Sequence, residues 1–319
     1  MFVRSERNPI ITAPDLGFGA NAVFNPGATI TPDGATVLLL RVEDRCGLSA
    51  IHVARSQDGE TDWQIERTPL LRAQPDHLAC EWGFEDPRVS FVPELDRYVI
   101  TCTAYGQPGP CVYLATTRGF ETIDYEGVAL TPEDKNAAVI PRRLGGHWWM
   151  LHRPVVMVTG AADIWISRSS DLVSWQDPEP VMVRRSAGWW DASRIGIGPP
   201  PIEMSEGWLQ LYHGVRNSPG GPIYRMGAAL LDLEHPWRVV RRLPEWLLSP
   251  SEPYERTGDV GNVVFPCGAV RVGDELRVYY GAADTTVCMA RCSISELVAA
   301  LFDHGEREQR DIAGRLLGQ

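Results

Sequence analysis

Five times along this chain, a stretch of Pro and small residues opens a strand, a turn follows, and an aromatic or aliphatic strand comes next. The openings are Phe24-Asn-Pro-Gly-Ala28, Phe84-Glu-Asp-Pro-Arg88, Asn136-Ala-Ala-Val-Ile-Pro141, Ile197-Gly-Pro-Pro-Pro-Ile202 and Val263-Val-Phe-Pro-Cys-Gly268. The strands after them are Thr36-Val-Leu-Leu-Leu-Arg41, Tyr98-Val-Ile-Thr-Cys102, His147-Trp-Trp-Met-Leu-His152, Trp208-Leu-Gln-Leu-Tyr-His213 and Glu275-Leu-Arg-Val-Tyr-Tyr280. A third strand completes each copy, as in Ser49-Ala-Ile-His-Val-Ala-Arg55 and Asp163-Ile-Trp-Ile-Ser167. Self-similarity at a spacing of roughly 50 to 65 residues is the mark of a repeat architecture. Sheets of about four short strands repeated around an axis are propeller blades. Five copies therefore predict an all-β, five-bladed β-propeller. A β-sandwich or a barrel would leave the repeat unexplained.

Two copies continue into one kind of turn, Ser56-Gln-Asp-Gly-Glu-Thr-Asp-Trp63 and Ser170-Asp-Leu-Val-Ser-Trp175, where Asp or Ser closes the turn and Trp packs beneath it. Eleven Trp, 30 Gly and 25 Pro suit an all-β chain with many tight loops. Ser293 precedes Glu296 at capping-box spacing, which predicts a C-terminal helix over about 293–317. Residues 1–23 are expected to close the ring or line its mouth, and no linker divides residues 1–319, which read as one domain.

A net charge of −11 argues against nucleic acid as a partner. No apolar run reaches membrane-spanning length, and the N-terminus has no apolar stretch of the kind that marks a signal peptide. Seven scattered Cys, with no paired spacing, read as reduced and buried thiols of a cytoplasmic protein and match no zinc site. A homo-oligomer is compatible with all of this.

The motif Trp82-Gly-Phe-Glu-Asp-Pro-Arg88 stands at a strand entrance, ahead of an alternating run from Val89 to Thr103. Pro87 forbids helix and predicts an extended Asp86. In a propeller the innermost strands aim their entrances at the central channel, so the five openings converge on one funnel. Gathered there are Asn25, Arg41, Asp44, Glu85, Asp86 and Arg88, then Lys135, Asn136, His152 and Arg153. The fourth and fifth copies add Asp191, Arg194, Tyr212, His213, Tyr224, Asp259, Asn262, Tyr280 and Asp284. Although the chain is acidic, its third and fourth copies place Lys135, Arg153, Arg194 and His213 near the channel. Converging cations in a concave site read as an anion pocket, most simply for phosphate. Each alone also reads blandly, Arg153 as half of an ion pair, His213 as a satisfied strand-end histidine, Lys135 as a solvated loop residue.

Phe84-Glu-Asp-Pro-Arg88, Leu151-His-Arg-Pro154, Ile195-Gly-Ile-Gly-Pro-Pro-Pro-Ile202, Tyr212-His-Gly214 and Tyr224-Arg-Met-Gly-Ala-Ala-Leu-Leu-Asp-Leu233, in this order, resemble glycoside hydrolase family 130, the β-mannoside phosphorylases. The likeness runs from Asn25-Pro-Gly-Ala28 to Tyr280-Gly-Ala-Ala-Asp-Thr285. It implies a five-bladed propeller in which Asp86 is the proton donor to the glycosidic oxygen, through a sugar hydroxyl. Inorganic phosphate, a co-substrate rather than a cofactor, would attack the anomeric carbon from the opposite face and release α-mannose 1-phosphate with inversion. By position it assigns phosphate to Lys135, Asn136, Arg153, Arg194, His213 and Tyr224. The mannosyl unit falls to Asn25, Arg41 and Asp284, with Asp44 and Glu85 alongside. Lys135 stands where the family usually has Arg, and Arg194 where it usually has Lys, which exchanges fork geometry while keeping charge.

Phosphorolysis needs no carboxylate base, because phosphate already carries about two negative charges near neutral pH. It must outcompete water, at about 1.4 kcal/mol per tenfold preference, and a charged hydrogen bond contributes about 1.5–3 kcal/mol. Several cationic donors would suffice. Two readings compete: an inverting β-mannosidase with Asp191 or Asp259 as base, and a non-catalytic carbohydrate-binding propeller. Trp82, Trp189 and Trp190 are candidate stacking platforms at the rim. The acceptor sugar and linkage, with β-1,4 expected, fall to loops such as Arg72 to Cys80 and Arg216 to Pro222.

Overall fold

The structure is a computed structural model that describes residues 1–156, 160–186 and 188–307. Five antiparallel sheets follow one another along the chain and form the blades of a β-propeller. Blade 1 comprises Ala22–Ile30, Thr36–Glu43, Ser49–Ser56 and Gln64–Ile65. Blade 2 comprises Phe84–Val92, Arg97–Ala104, Cys111–Thr117 and Tyr125–Leu130. Blade 3 is built from Asp134–Val139, Trp148–Val156, Ile164–Ser169 and Gln176–Met182. Blade 4 has Arg194–Ile197, Gly207–Ser218, Gly221–Leu231 and Val239–Arg242. Blade 5 takes Val264–Val272, Glu275–Ala282 and Thr286–Ser293, and its outer strand, Val3–Arg4, comes from the other end of the chain.

Alternation along each strand divides its side chains between two neighbouring cores. Val37 and Leu39 pack with Phe84, Tyr98 and Ile100 of blade 2. Leu38, Leu40 and Val42, pointing the other way, pack with Tyr279, Val287 and Met289 of blade 5. A strand covered on both faces reads as a near-continuous apolar run, which is why Thr36–Glu43 carries so few polar residues. Arg4 locks the closure: its Nε and Nη2 donate to the two oxygens of Glu255 at 2.8 and 2.9 Å, and Glu255 is fully buried. Tyr280 donates to the same carboxylate at 2.8 Å, so it braces the ring and is not among the channel-lining residues.

The two repeated turns form alike. Asp58 accepts from the amides of Glu60 and Thr61, and Asp171 from those of Val173 and Ser174. Beneath them the indoles of Trp63 and Trp175 donate to Glu60 and Leu172 carbonyls. The C-terminal helix spans Ile294–His304, with the Ser293 hydroxyl accepting from the Glu296 amide. It ends at His304, short of the expected 317, because Gly305 turns extended and Glu306 exchanges backbone hydrogen bonds with Arg242 at 3.0 and 2.9 Å. Positions beyond 307 lie outside the described residues. Two further expectations are corrected here. The fourth opening is not at Ile197: the inner strand begins at Arg194, and the Pro run splits it into Arg194–Ile197 and Ile202–Met204, because Pro supplies no N–H to the ladder. Cys46 is exposed, whereas the other six thiols are buried.

Candidate active site

The inner strands of blades 1, 2 and 3 are each interrupted at one place. Register shifts fall between Phe24 and Gly27, between Glu85 and Arg88, and between Lys135 and Ala138. At each bulge a short polar residue adopts a left-handed backbone: Asn25 (φ 46°), Asp86 (φ 50°) and Asn136 (φ 52°). Asp86 is therefore not extended, as Pro87 had suggested. Asn and Asp tolerate this region better than other non-glycine residues, and a bulge re-aims a side chain that a regular strand would turn elsewhere. Three blades thus use one device to present a polar group to the channel.

Glycines make the room. A Cβ on Gly281 would come within 1.9 Å of Asn25 Oδ1, and one on Gly196 within 2.5 Å of His213 Cε1 and 2.8 Å of Asn136 Nδ2. Below the site the buried Arg88 guanidinium crosses the axis to blade 4, donating to the carbonyls of Gly198 at 2.8 Å and Ile197 at 3.2 Å.

The result is a cavity of about 680 Å3, within the usual range for small-molecule sites. Asn25, Arg41, Glu85, Asp86, Lys135, Asn136, Arg153, Arg194, His213, Tyr224 and Asp284 all line it. Asp44 does not. It lies beyond the strand end, and its carboxylate accepts from the amides of Cys46 at 2.7 Å and Leu48 at 3.0 Å within its own turn.

One wall is acidic. Asp86 Oδ1 accepts from Asn25 Nδ2 at 2.8 Å and from Arg41 Nη1 at 3.0 Å, while Arg41 Nη2 donates to Glu85 at 2.9 Å. No hydrogen bond from the described residues reaches Asp86 Oδ2. Burial opposes ionisation of Asp86, yet Arg41, Arg88 and the Asn25 amide outweigh it and hold the carboxyl below its ordinary range. Burial wins at Glu85, whose pKa is raised despite Arg41. At Asp284, burial and the nearby Asp86 charge raise the pKa to about 7.

The opposite wall is cationic. Lys135 and Arg153 sit directly across the strand pair from one another, an arrangement that is destabilising for like charges. Burial and Arg153 lower the pKa of Lys135; burial and Arg194 lower that of Arg153 to about 10. Among the described residues, no acid forms an ion pair with Lys135, Arg153 or Arg194, so the reading of Arg153 as half of an ion pair is set aside. Arg194 donates to the Tyr224 hydroxyl. His213 packs on Phe265 with ring centroids 4.4 Å apart, and burial among Arg153, Arg88 and Arg194 keeps it neutral, far below its ordinary pKa. Buried polar atoms without partners gather here: Asn25 Oδ1, Asn136 Oδ1, Arg153 Nε and both ring nitrogens of His213. Orphaned groups of this kind are costly unless a ligand completes them.

Other candidates fall away from the cavity. His152 bridges Asp134 (2.6 Å) and Ser167 (2.9 Å) inside blade 3, and Ser167 is only 1% exposed, so the array is a strut and not a nucleophile. Asp191 is fully buried between Arg185 and Arg242, at 2.9 and 2.6 Å, with Tyr212 as a further donor. Asp259 is exposed outside the cavity and accepts from Asn21. Neither is placed to act as a base. Trp190 is buried against Tyr212 and is no rim platform, whereas Trp82 and Trp189 are exposed. Tyr105, Glu133, Asp134 and Phe265 line the site without having been singled out. Only Asp134, next to Lys135, carried a signal in its position.

The family model described as β-1,4-mannooligosaccharide phosphorylase matches residues 6–302. A β-1,4-mannooligosaccharide phosphorylase from Ruminococcus albus is 37% identical over 94% of this chain and 91% of its own length. A β-1,2-mannobiose phosphorylase from Listeria innocua is 39% identical over 80% of this chain and 69% of its own. A structure of a Listeria innocua β-1,2-mannobiose phosphorylase in complex with β-1,2-mannobiose superposes with a TM-score of 0.86 at 32% identity, covering 95% of this chain and 99% of that one. A further structure, with a TM-score of 0.81 at 26% identity over 92% and 94% of the two chains, comes from work on glycoside hydrolases of the same family that target β-1,2 mannosidic linkages. The chain belongs to glycoside hydrolase family 130, and it is an enzyme of the glycoside phosphorylase class.

Proposed function

We propose that the enzyme cleaves β-linked mannosides by inverting phosphorolysis, with Asp86 as proton donor, and releases α-mannose 1-phosphate. The observation that carries this reading is the trio Lys135, Arg153 and Arg194, without acid partners, facing Asp86 across one cavity. Asn136, His213 and Tyr224 complete the anion site. Asn25, Arg41, Glu85 and Asp284 hold the mannosyl unit on the acidic wall.

Phosphate enters as the dianion against the cationic wall. Its charge cancels the field of Lys135, one of the groups that keep Asp86 ionised, and so favours protonation of Asp86. An oxygen of phosphate then forms a bond to the anomeric carbon as the glycosidic C–O bond breaks on the opposite face. The proton of Asp86 passes through a sugar hydroxyl to the departing oxygen. The proton left on the new phosphate ester returns to Asp86, so the cycle consumes only phosphate and mannoside. Water is outcompeted because several charged donors act on phosphate and none of the carboxylates expected as a base faces the anomeric carbon.

The family model and the Ruminococcus relative favour a β-1,4 linkage, and the Listeria relative favours β-1,2. The deciding assay incubates the protein with β-1,4- and β-1,2-mannobiose, with and without inorganic phosphate, and quantifies mannose and α-mannose 1-phosphate. Phosphate-dependent formation of the α-1-phosphate is expected from one of the two. Phosphate-independent release of mannose overturns the proposal in favour of an inverting β-mannosidase.

A further inference from the structure

Trp82 and Tyr105 are large aromatic side chains that the fold leaves 42% and 39% exposed at the mouth of the site. Tyr105 lines the cavity itself; Trp82 lies beside it, their ring centroids 5.4 Å apart at an interplanar angle of 53°. Neither ring is on a loose loop. The Trp82 amide donates to the Tyr105 carbonyl at 2.9 Å, and the Tyr105 amide donates to the Gly83 carbonyl at 3.0 Å, extending the ladder that begins at Phe84 and Ala104. Gly83, at φ 107°, lies so close to blade 1 that a Cβ would come within 2.1 Å of the Ser49 carbonyl oxygen. The turn after Tyr105 is tied back by the Gln107 amide donating to Glu81 at 3.0 Å. Two exposed rings are thus held by backbone hydrogen bonds on the blade that carries Asp86.

Inversion fixes what lies on that side. The nucleophile and the departing sugar occupy opposite faces of the anomeric carbon. The cationic wall belongs to blades 3 and 4, so the departing sugar leaves past the blade 2 side, where Asp86 stands. On that side Tyr105 and Pro110 line the cavity, and Trp82 stands beside Tyr105. Pyranose rings present C–H faces that stack on aromatic rings, whose large rigid area binds at low entropic cost.

We propose that Tyr105 and Trp82 form a two-step platform for the leaving saccharide, Tyr105 under the first sugar and Trp82 under the second. This rests on the phosphorolytic reading, and it makes acceptor length a property of Trp82. The enzyme would favour oligosaccharides over disaccharides because only the longer chain reaches the second ring.

The test runs the reaction in reverse, with α-mannose 1-phosphate as donor and mannose or mannobiose as acceptor, on wild type, Tyr105→Ala, Trp82→Ala and Trp82→Phe. Loss of one stacking ring is expected to raise an acceptor KM about tenfold. Tyr105→Ala should raise KM for both acceptors. Trp82→Ala should raise it for mannobiose about tenfold relative to mannose and to α-mannose 1-phosphate, and Trp82→Phe should recover most of that loss. Equal KM changes for the two acceptors in Trp82→Ala, or none for mannobiose, overturn the platform. If wild type makes no product in this direction, phosphorolysis itself fails and calorimetric binding of mannotriose decides. Binding about tenfold weaker in Trp82→Ala than in wild type upholds the platform, and equal binding overturns it.

Discussion

Asp284 is a cavity-lining carboxyl whose ionised form the fold disfavours. It sits in the Ala282–Thr286 hairpin at φ 48°, it lines the cavity, and no side-chain hydrogen bond or ion pair reaches it from the described residues. Burial and the Asp86 charge raise its pKa from 3.8 to about 7. An acid whose folded pKa is raised makes the fold less stable as pH rises, because between the two values the folded state holds a proton that the unfolded chain has lost. At about 1.36 kcal/mol for each unit of pKa, ionising Asp284 in place costs about 4 kcal/mol above pH 7 and almost nothing below pH 4. Asp284→Asn removes the charge, keeps the shape and suits the left-handed backbone. An unfolding entropy of about 2.1 cal/mol/K per residue converts 4 kcal/mol into about 6 °C for a chain of 319 residues.

The assay is thermal unfolding of wild type and Asp284→Asn from pH 4 to pH 8.5 in buffers free of phosphate. The two melting temperatures should nearly coincide at pH 4, diverge as pH passes from 4 to 7, and then run parallel with the variant about 6 °C higher. A gap that does not depend on pH, or a variant less stable at pH 8, would refute the reasoning. Either result would mean that Arg41, already shared by Glu85 and Asp86, also neutralises Asp284.

Arg153→Ala removes a charged donor from the anion site and should raise KM for phosphate by about 10- to 150-fold, read from initial rates at varied phosphate. Gly196→Ala puts a methyl against His213 and Asn136; kcat/KM with respect to phosphate should fall at least about tenfold, while the unfolding midpoint moves by only a few degrees. Arg4→Ala leaves the buried Glu255 carboxylate with neutral donors alone. A loss of about 3 kcal/mol is expected, seen as a denaturation midpoint shifted down with an unchanged denaturant slope.

Much of the fold was legible because a propeller repeats its own evidence: five strand openings and five aromatic or aliphatic strands cannot be read independently. The ring closure by residues 3–4 was foreseeable only as a need for some strand, since two residues carry no periodicity. At the site, Arg41 and Arg153 were legible because strand alternation fixes which way they point. Asp44 was not, because it lies past the strand end, where a carboxylate is satisfied by its own turn. Asp191 stood at the right distance before Arg194 but was drawn inward by Arg185 and Arg242, partners far away in sequence or in an unpatterned loop. Tyr105 follows a strand end by one residue, and nothing in its neighbours tells a cavity wall from open surface. The left-handed backbone of Asp86 was misjudged because the rule for residues before Pro weighs local sterics alone. The pairing of Glu85 and Arg88 with a shared partner strand imposes the bulge.

On the proposed reading, that bulge also assigns the chemistry and the specificity to different parts of the chain. Asn25, Asp86 and Asn136 are presented by strands whose ladders continue on both sides of the interruption, and Gly196 and Gly281 hold the neighbouring blades close enough to fix them. Groups so placed do not shift when loops change, so the proposed proton donor and anion wall would serve any β-mannoside whose first sugar reaches them. In the proposed reaction the leaving sugar, by contrast, passes the mouth, where Tyr105, Trp82 and the turn after them are set by short connections between strands. A change of linkage moves the second sugar by several ångströms but leaves the anomeric carbon where it was. That relatives named for β-1,4 and for β-1,2 substrates both align with most of this chain is what such a division predicts. Exchanging residues 105–110, with Trp82, for the corresponding residues of a β-1,2-specific relative should alter the ratio of kcat/KM for the two mannobioses while leaving KM for phosphate within about threefold. A change confined to phosphate would place specificity on the strands and refute the division.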